Sequence, residues 1–162
     1  MIRPERAGDE AAIHKLTARA FEGEPHSDGS EPQIVDRLRA AGDLTISLVA
    51  KEGDALIGHA AFSPVEISDG SADWYGLGPI SVEPELQGEG IGSKLVYKGL
   101  DQLREMGANG CVLLGDPAYY ERFGFRHDPR LTYPGPPPEY FQCLVLSGDA
   151  PAGEVKYSPG FG

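Results

Sequence analysis

Apolar residues recur at helical spacing early in the chain, at Ile13, Leu16, Ala20 and Phe21. This spacing predicts an amphipathic helix over Glu10 to Phe21, with Asp9 placed as its N-cap. A second helix is predicted from Ile34, Val35, Leu38 and Ala41, with Ser30 and Gln33 forming a capping box and Gly42 stopping it. Between them FEGEPHSDGSEP, residues 21–32, reads as a polar loop with four acids. Met1 to Pro4 suits a short strand. The pattern then changes. LTISLVAKE (44–52), ALIGHAAFSPVEI (55–67) and ADWYGLGPISVEP (72–84) have strand composition and are joined by the turn-like GD (53–54) and SDGS (68–71), which predicts antiparallel hairpins. The third is interrupted by Gly76, Gly78 and Pro79, where a bulge or a parting from a neighbour is expected.

A helical stripe returns at Ile91, Leu95, Val96, Leu100, Leu103 and Met106, with Gly107 as its stop. GCVLLG (110–115) follows as a short buried strand, and strand–helix–strand implies a right-handed crossover to a parallel pair. Asp116 as N-cap and Pro117 at the first helical position open a short helix that ends at Gly124. GFRH (124–127) suits another strand, the Pro-rich PGPPPEY a stiff loop, and Phe141 to Leu146 a last strand. The tail GEVKYSPGFG reads as irregular. The expectation is a mixed α/β fold in a single domain, residues 1–162.

A net charge of −11 over 162 residues opposes nonspecific binding to nucleic acid or to an anionic membrane, and favours a cationic partner. The N-terminus lacks the apolar core of a signal peptide and no run reaches membrane-spanning length, so a cytoplasmic location is expected. Cys111 and Cys143 lie in apolar runs and read as buried small hydrophobes. No cluster has metal-ligand spacing, and no metal is expected.

The stretch with most chemical content is ELQGEGIGSKL (85–95), which places Gly88, Gly90 and Gly92 between an apolar strand and a helix. The order Gly92-Ser93-Lys94 is not a P-loop, and the spacing and late position do not fit a dinucleotide fingerprint. Backbone amides at a helix N-terminus form an anion cradle suited to a pyrophosphate, although a tight turn that only packs strand on helix would read the same way.

Gln87-Gly88-Glu89-Gly90-Ile91-Gly92 resembles the Q/R-x-x-G-x-G/A signature of the GCN5-related N-acetyltransferases (GNAT superfamily). GDPAYYERFGF (115–125) resembles their Y-E-x-x-G-F segment. Together with LGPISVEPELQGEGIGSKL, it is similar to the bacterial acetyltransferase branch called YhbS-like. The resemblance implies the GNAT fold: a central, largely antiparallel twisted sheet of about seven strands, flanked by about four helices and splayed between strands 72–84 and 110–115. It implies acetyl-CoA as donor, a primary amine as acceptor, and direct attack in a ternary complex. The alternative is an inactive acyl-CoA sensor or interaction module of the same fold. Cofactor contacts are implied at Gln87, Gly88, Glu89, Gly90, Ile91, Gly92 and Ser93, and along Ile80, Ser81 and Val82. The Val82 amide would stabilise the oxyanion. Tyr120 would be the general acid, with Tyr119 adjacent to it. Glu89 stands where many relatives carry Arg or Lys. Glu22, Glu24, His26, His59, Glu66 and Asp73 are all open as bases. A homodimer would be in keeping with relatives.

Overall fold

In the computed structural model, which describes residues 1–162, the first helix pair is α1 (Glu10–Phe21) and α2 (Glu31–Ala41), and the sheet begins with β1 (Ile2–Pro4). Three long strands follow: β2 (Ile46–Glu52), β3 (Ala55–Ile67) and β4 (Trp74–Val82). After α3 (Ile91–Glu105) come β5 (Gly110–Leu114), the single-turn α4 (Pro117–Tyr120), β6 (Leu131–Thr132), β7 (Phe141–Val145) and β8 (Gly153–Tyr157). The main sheet runs β1-β2-β3-β4-β5-β7, with β4 and β5 its one parallel pair.

Alternation along the strands separates two faces. Leu48, Ala60 and Phe62 meet Leu95, Val96 and Leu100 of α3 in the larger core. Val49 points the other way, into a small cluster with Ile13 of α1 and Val35 of α2. A third cluster joins Val65, Ile67, Trp74, Val112 and Val155. There the Trp74 ring lies over Gly110 so closely that an added Cβ would stand 2.3 Å from it.

Four local expectations are revised. The tail is not irregular: β8 pairs antiparallel with Val65–Ile67 of β3, on the edge that β2 has vacated by Ile46, and parallel with β6, giving eight strands. The capping box does not form, because the Ser30 hydroxyl is drawn to Asp28 Oδ1 at 2.5 Å and Ser30 itself has helical dihedrals. Asp9 is the N-cap residue of α1 as expected and its carbonyl accepts the Ile13 amide at 3.0 Å, but its carboxylate is taken by Arg3 at 2.8 Å and by the Arg6 amide, which hold it down to a pKa of about 2, so its side chain caps nothing in the helix. GFRH supplies one bridge, Arg126 to Cys143, rather than a strand.

Candidate active site

β4 is paired with β5 only at Trp74–Gly110, Tyr75–Cys111 and Gly76–Val112. Next, the β3–β4 register slips: Phe62 faces Leu77 and Ala60 faces Ile80, leaving an extra residue on β4 at the cis Gly78–Pro79 step. Pro79 has no N–H for a ladder. Farther on, the Glu83 amide donates to Ile57 O at 2.8 Å. Strand alternation therefore turns Ser81 toward β3 as well, where it faces His59, and turns the backbone groups of Ile80 and Val82 outward into the gap. The Val82 carbonyl accepts from Gln87 Nε2 at 3.2 Å, which agrees with that direction. Ser81 is 1% exposed, with its hydroxyl facing no partner, so its place is inside the sheet rather than on the open edge.

The three glycines of the loop differ. Gly88 (φ 83) and Gly90 (φ 87) are left-handed, a conformation that L side chains rarely adopt, and both are exposed. Gly92 lies inside α3. A methyl there would make ordinary contacts, 3.5 Å from the Tyr119 hydroxyl and 3.6 Å from Val82 Cγ2. Gly90 occupies the N-cap without a capping side chain, and its carbonyl receives Lys94 N–H at 3.1 Å. The amides of Ile91, Gly92 and Ser93 consequently have no partner in the helix and carry its positive end. Glu89 is exposed beside them, and Ile91 packs its side chain against the core.

On the far side of the gap α4 is fixed at its N-terminal end. Asp116 accepts from the Ala118 amide at 3.0 Å, and the Gly115 carbonyl accepts from the buried Gln142 Nε2 at 3.0 Å. The two tyrosines then diverge. The Tyr119 hydroxyl is 2.9 Å from Ser93 Oγ, and its ring lies 4.2 Å under the Arg122 guanidinium. Tyr119 thus straps α4 to the start of α3. Tyr120 packs edge-on to Phe125 and lines a cleft with Gly78, Pro79 and Ile80. Burial, with a smaller contribution from Tyr119, pushes its phenol up to about 12.

The family described as "Acetyltransferase (GNAT) domain" matches residues 1–127. The chain belongs to this family. It is 40% identical to the N-acetyltransferase YhbS of Escherichia coli K12 over 155 residues, 93% of this chain and 89% of YhbS. It is 31% identical to the N-acetyltransferase YjhQ of the same strain over 147 residues, 85% of this chain and 78% of YjhQ. Among solved structures, a GNAT acetyltransferase from Brucella melitensis in complex with acetyl-CoA superposes with a TM-score of 0.90 at 51% identity, covering all of this chain and 97% of that one. YhbS from Escherichia coli in complex with CoA also superposes at 0.90, with 36% identity over 99% of this chain and 91% of that one.

In this GNAT chain two hollows meet at the open edge of β4. One, of 230 Å³, holds Ile80, Val82 and Gln87 together with Glu24, His26 and Glu31. The other, of 340 Å³, contains Tyr120. Phe21, Glu31 and Ile80 belong to both. Glu24 and His26 therefore face the site, whereas Glu22 lines neither hollow but an adjoining one beside α1 that shares Phe21 and Glu31 with them. His59 is fully buried, with Nε2 2.8 Å from Ser47 Oγ and its pKa lowered to about 4 by desolvation. Glu66 is exposed on β3 opposite Lys156, and Asp73 stands at the start of β4 where its carbonyl accepts from Asn109. None of these last three lines either hollow. Glu31, Tyr133, Tyr157 and Phe161 line the larger hollow without having been singled out in the sequence. Glu31 was legible only as a polar residue at a helix start, and the three aromatics lie beyond the motifs. No three His, Cys, Asp or Glu side chains converge as metal ligands, and no helix is long and apolar enough to cross a membrane.

Proposed function

We propose that the whole chain acts as one acetyl-CoA-dependent N-acetyltransferase domain, cytoplasmic in location, whose acceptor is a primary amine. The observation that carries this reading is the open backbone edge of Ile80 and Val82, which leads directly into the glycine loop and the unpartnered amides at the start of α3. An extended pantetheine-like chain is matched by an unpaired strand edge, and a pyrophosphate by helix amides. Gly88 and Gly90, open and without side chains, leave those amides accessible. Support from the relatives lies in the acetyl-CoA bound by the Brucella melitensis enzyme and the CoA bound by YhbS.

Acetyl-CoA supplies a thioester carbonyl. The neutral amine nitrogen attacks that carbon, a C–N bond forms, and the C–S bond breaks to release the thiolate. The Val82 amide, turned into the gap, is placed to donate to the carbonyl oxygen as it gains charge. Tyr120 is the proton donor to the departing sulfur, and the proton shed by the attacking nitrogen as the amide forms restores its phenol. A phenol raised toward 12 stays protonated at neutral pH, and its hydroxyl is not committed to Ser93 as that of Tyr119 is. The ammonium form of the acceptor loses its proton to water or to a carboxylate at the cleft before attack. The products are an amide and the free thiol of CoA, with one proton released per ammonium consumed.

The test is incubation with acetyl-CoA and a panel of amines, following free thiol and the mass of the acceptor. Thiol release matched by an acetylated amine is expected. Tight acetyl-CoA binding with no acetylated product from any amine would instead make the chain a sensor.

A further inference from the structure

The larger hollow has an unusual lining for a site that takes a charged acceptor. Phe21 and Ile34 approach from the first helix pair, Tyr133 from just past β6, and Tyr157 and Phe161 from the C-terminal tail, with Tyr120 across the gap. The rings form a connected set. Tyr133 meets Tyr157 edge-on at 5.1 Å, and Tyr157 meets Phe161 at 5.0 Å. The tail that brings two of them is held in place: Ser158 Oγ donates to Asp43 at 2.7 Å, and Arg37 Nε donates to Gly160 O at 2.8 Å.

Only one lining residue is charged. Glu31 sits at the first turn of α2, half-buried, on the wall shared with the hollow beside Val82. One carboxylate oxygen accepts from Ser27 Oγ at 2.6 Å. No Lys, Arg or His pairs with Glu31, although seven other ion pairs form in the chain. A cleft of this kind can neutralise one positive charge and cover a hydrocarbon body. It has no cation with which to neutralise a carboxylate, and its rings offer little to several hydroxyl or ammonium groups.

Resting on the acetyltransferase reading above, we infer that the acceptor is a monoamine carried on an aromatic or similarly bulky apolar body, without a carboxylate, whose ammonium is received by Glu31. Glu31 lies between the ring-lined hollow and the open edge of β4, so an amine paired with it stands beside the place where the thioester would be presented. Amino acids are disfavoured by charge sign, and polyamines by the single carboxylate of the ring-lined hollow, since Glu24 lines only the hollow beside Val82.

The test compares phenethylamine, L-phenylalanine, spermidine and a blocked lysine under saturating acetyl-CoA, reading thiol release. Phenethylamine and L-phenylalanine differ only by the carboxylate, and kcat/KM should favour phenethylamine by roughly 10²-fold. Glu31→Gln, which still accepts from Ser27, should raise the KM for phenethylamine by roughly 10- to 100-fold while leaving the KM for acetyl-CoA unchanged. Efficient acetylation of L-phenylalanine, spermidine or the blocked lysine in preference to phenethylamine would overturn the acceptor assignment and leave the enzyme reading intact. So would an unchanged phenethylamine KM in the folded Glu31→Gln protein. No thiol release with any of the four, in protein that binds acetyl-CoA, would remove both.

Discussion

The two halves of β4 are built from the same strand and do opposite things. At Tyr75 and Gly76 both edges are paired, with β3 on one side and β5 on the other, and the Trp74 ring just before them is buried against Gly110. From Ile80 to Val82 one edge remains paired with β3 and the other opens. Three residues, Leu77, Gly78 and Pro79, separate them. A sheet normally gains by satisfying both edges of an inner strand. A half-strand left open inside a fold is a place where a ligand's backbone-like groups can complete the ladder. The first half holds the fold together, and the second is the edge to which the proposed function assigns acetyl-CoA.

The largest expected effect is at the open half. Tyr120→Phe keeps the ring and its packing on Phe125 and removes only the hydroxyl. Single-turnover acetyl transfer should slow by roughly 10²- to 10⁴-fold, with acetyl-CoA affinity nearly unchanged. Tyr119→Phe, which removes the strap to Ser93, should do much less to the chemical step. A reversal of the two would move the acid to Tyr119.

Next in size is the sealed face of the same half-strand, where His59 lies opposite Ser81. His59 is held neutral in the fold, with a pKa of about 4 against 6.5 for the free side chain. The unfolded chain therefore binds this proton at higher pH than the folded one, and acid favours unfolding. Stability should be unaffected above about pH 6.5 and should fall by about 3 kcal/mol as pH drops toward 4. Denaturant titrations across that window check it, and His59→Asn should flatten the slope.

At the closed half the effect is on folding. Gly110→Ala drives a methyl into the Trp74 ring and should cost about 1–3 kcal/mol, read as a lower denaturation midpoint. Acetyl-CoA binding by the fraction still folded should not change. Loss of binding there would mean that the two halves are not independent.

Much of this division was legible in the sequence. Hydrophobic periodicity located α1, α2 and α3, cap signals at Asp116 and Pro117 located α4, and composition with turn residues located the long strands. Gly78-Pro79 marked the break in β4, since a residue without N–H cannot continue a ladder. The ring-lined hollow was not legible. Its residues come from separate segments, and β8 draws its partners from strands far away in the chain, so no local pattern announces it. Ser30 and Asp9 do stand at the N-caps, but their side-chain roles were not legible for a related reason: these short polar groups are claimed by neighbours, Asp28 in one case and Arg3 in the other, instead of by the helix.

A smaller effect sharpens the account of the loop. Glu89 is exposed beside the positive end of α3 and opposes a polyanion. Glu89→Lys should tighten acetyl-CoA binding by on the order of 1 kcal/mol at low salt, and by less as salt screens it. An affinity that is flat across a salt series would show that this side chain points away from the phosphates.

The central claim, that the open half-strand and its glycine loop receive acetyl-CoA, is tested most directly by calorimetric titration of acetyl-CoA into the wild type, Gly90→Arg and Gly92→Ala. Gly92 has helical geometry and room for a methyl, so Gly92→Ala should bind like the wild type and melt no lower. Gly90→Arg places a long side chain over the amides and should lose at least about tenfold in affinity, a change of 1.4 kcal/mol or more. Undiminished binding by folded Gly90→Arg would contradict the cradle and return the loop to a turn that only packs strand on helix.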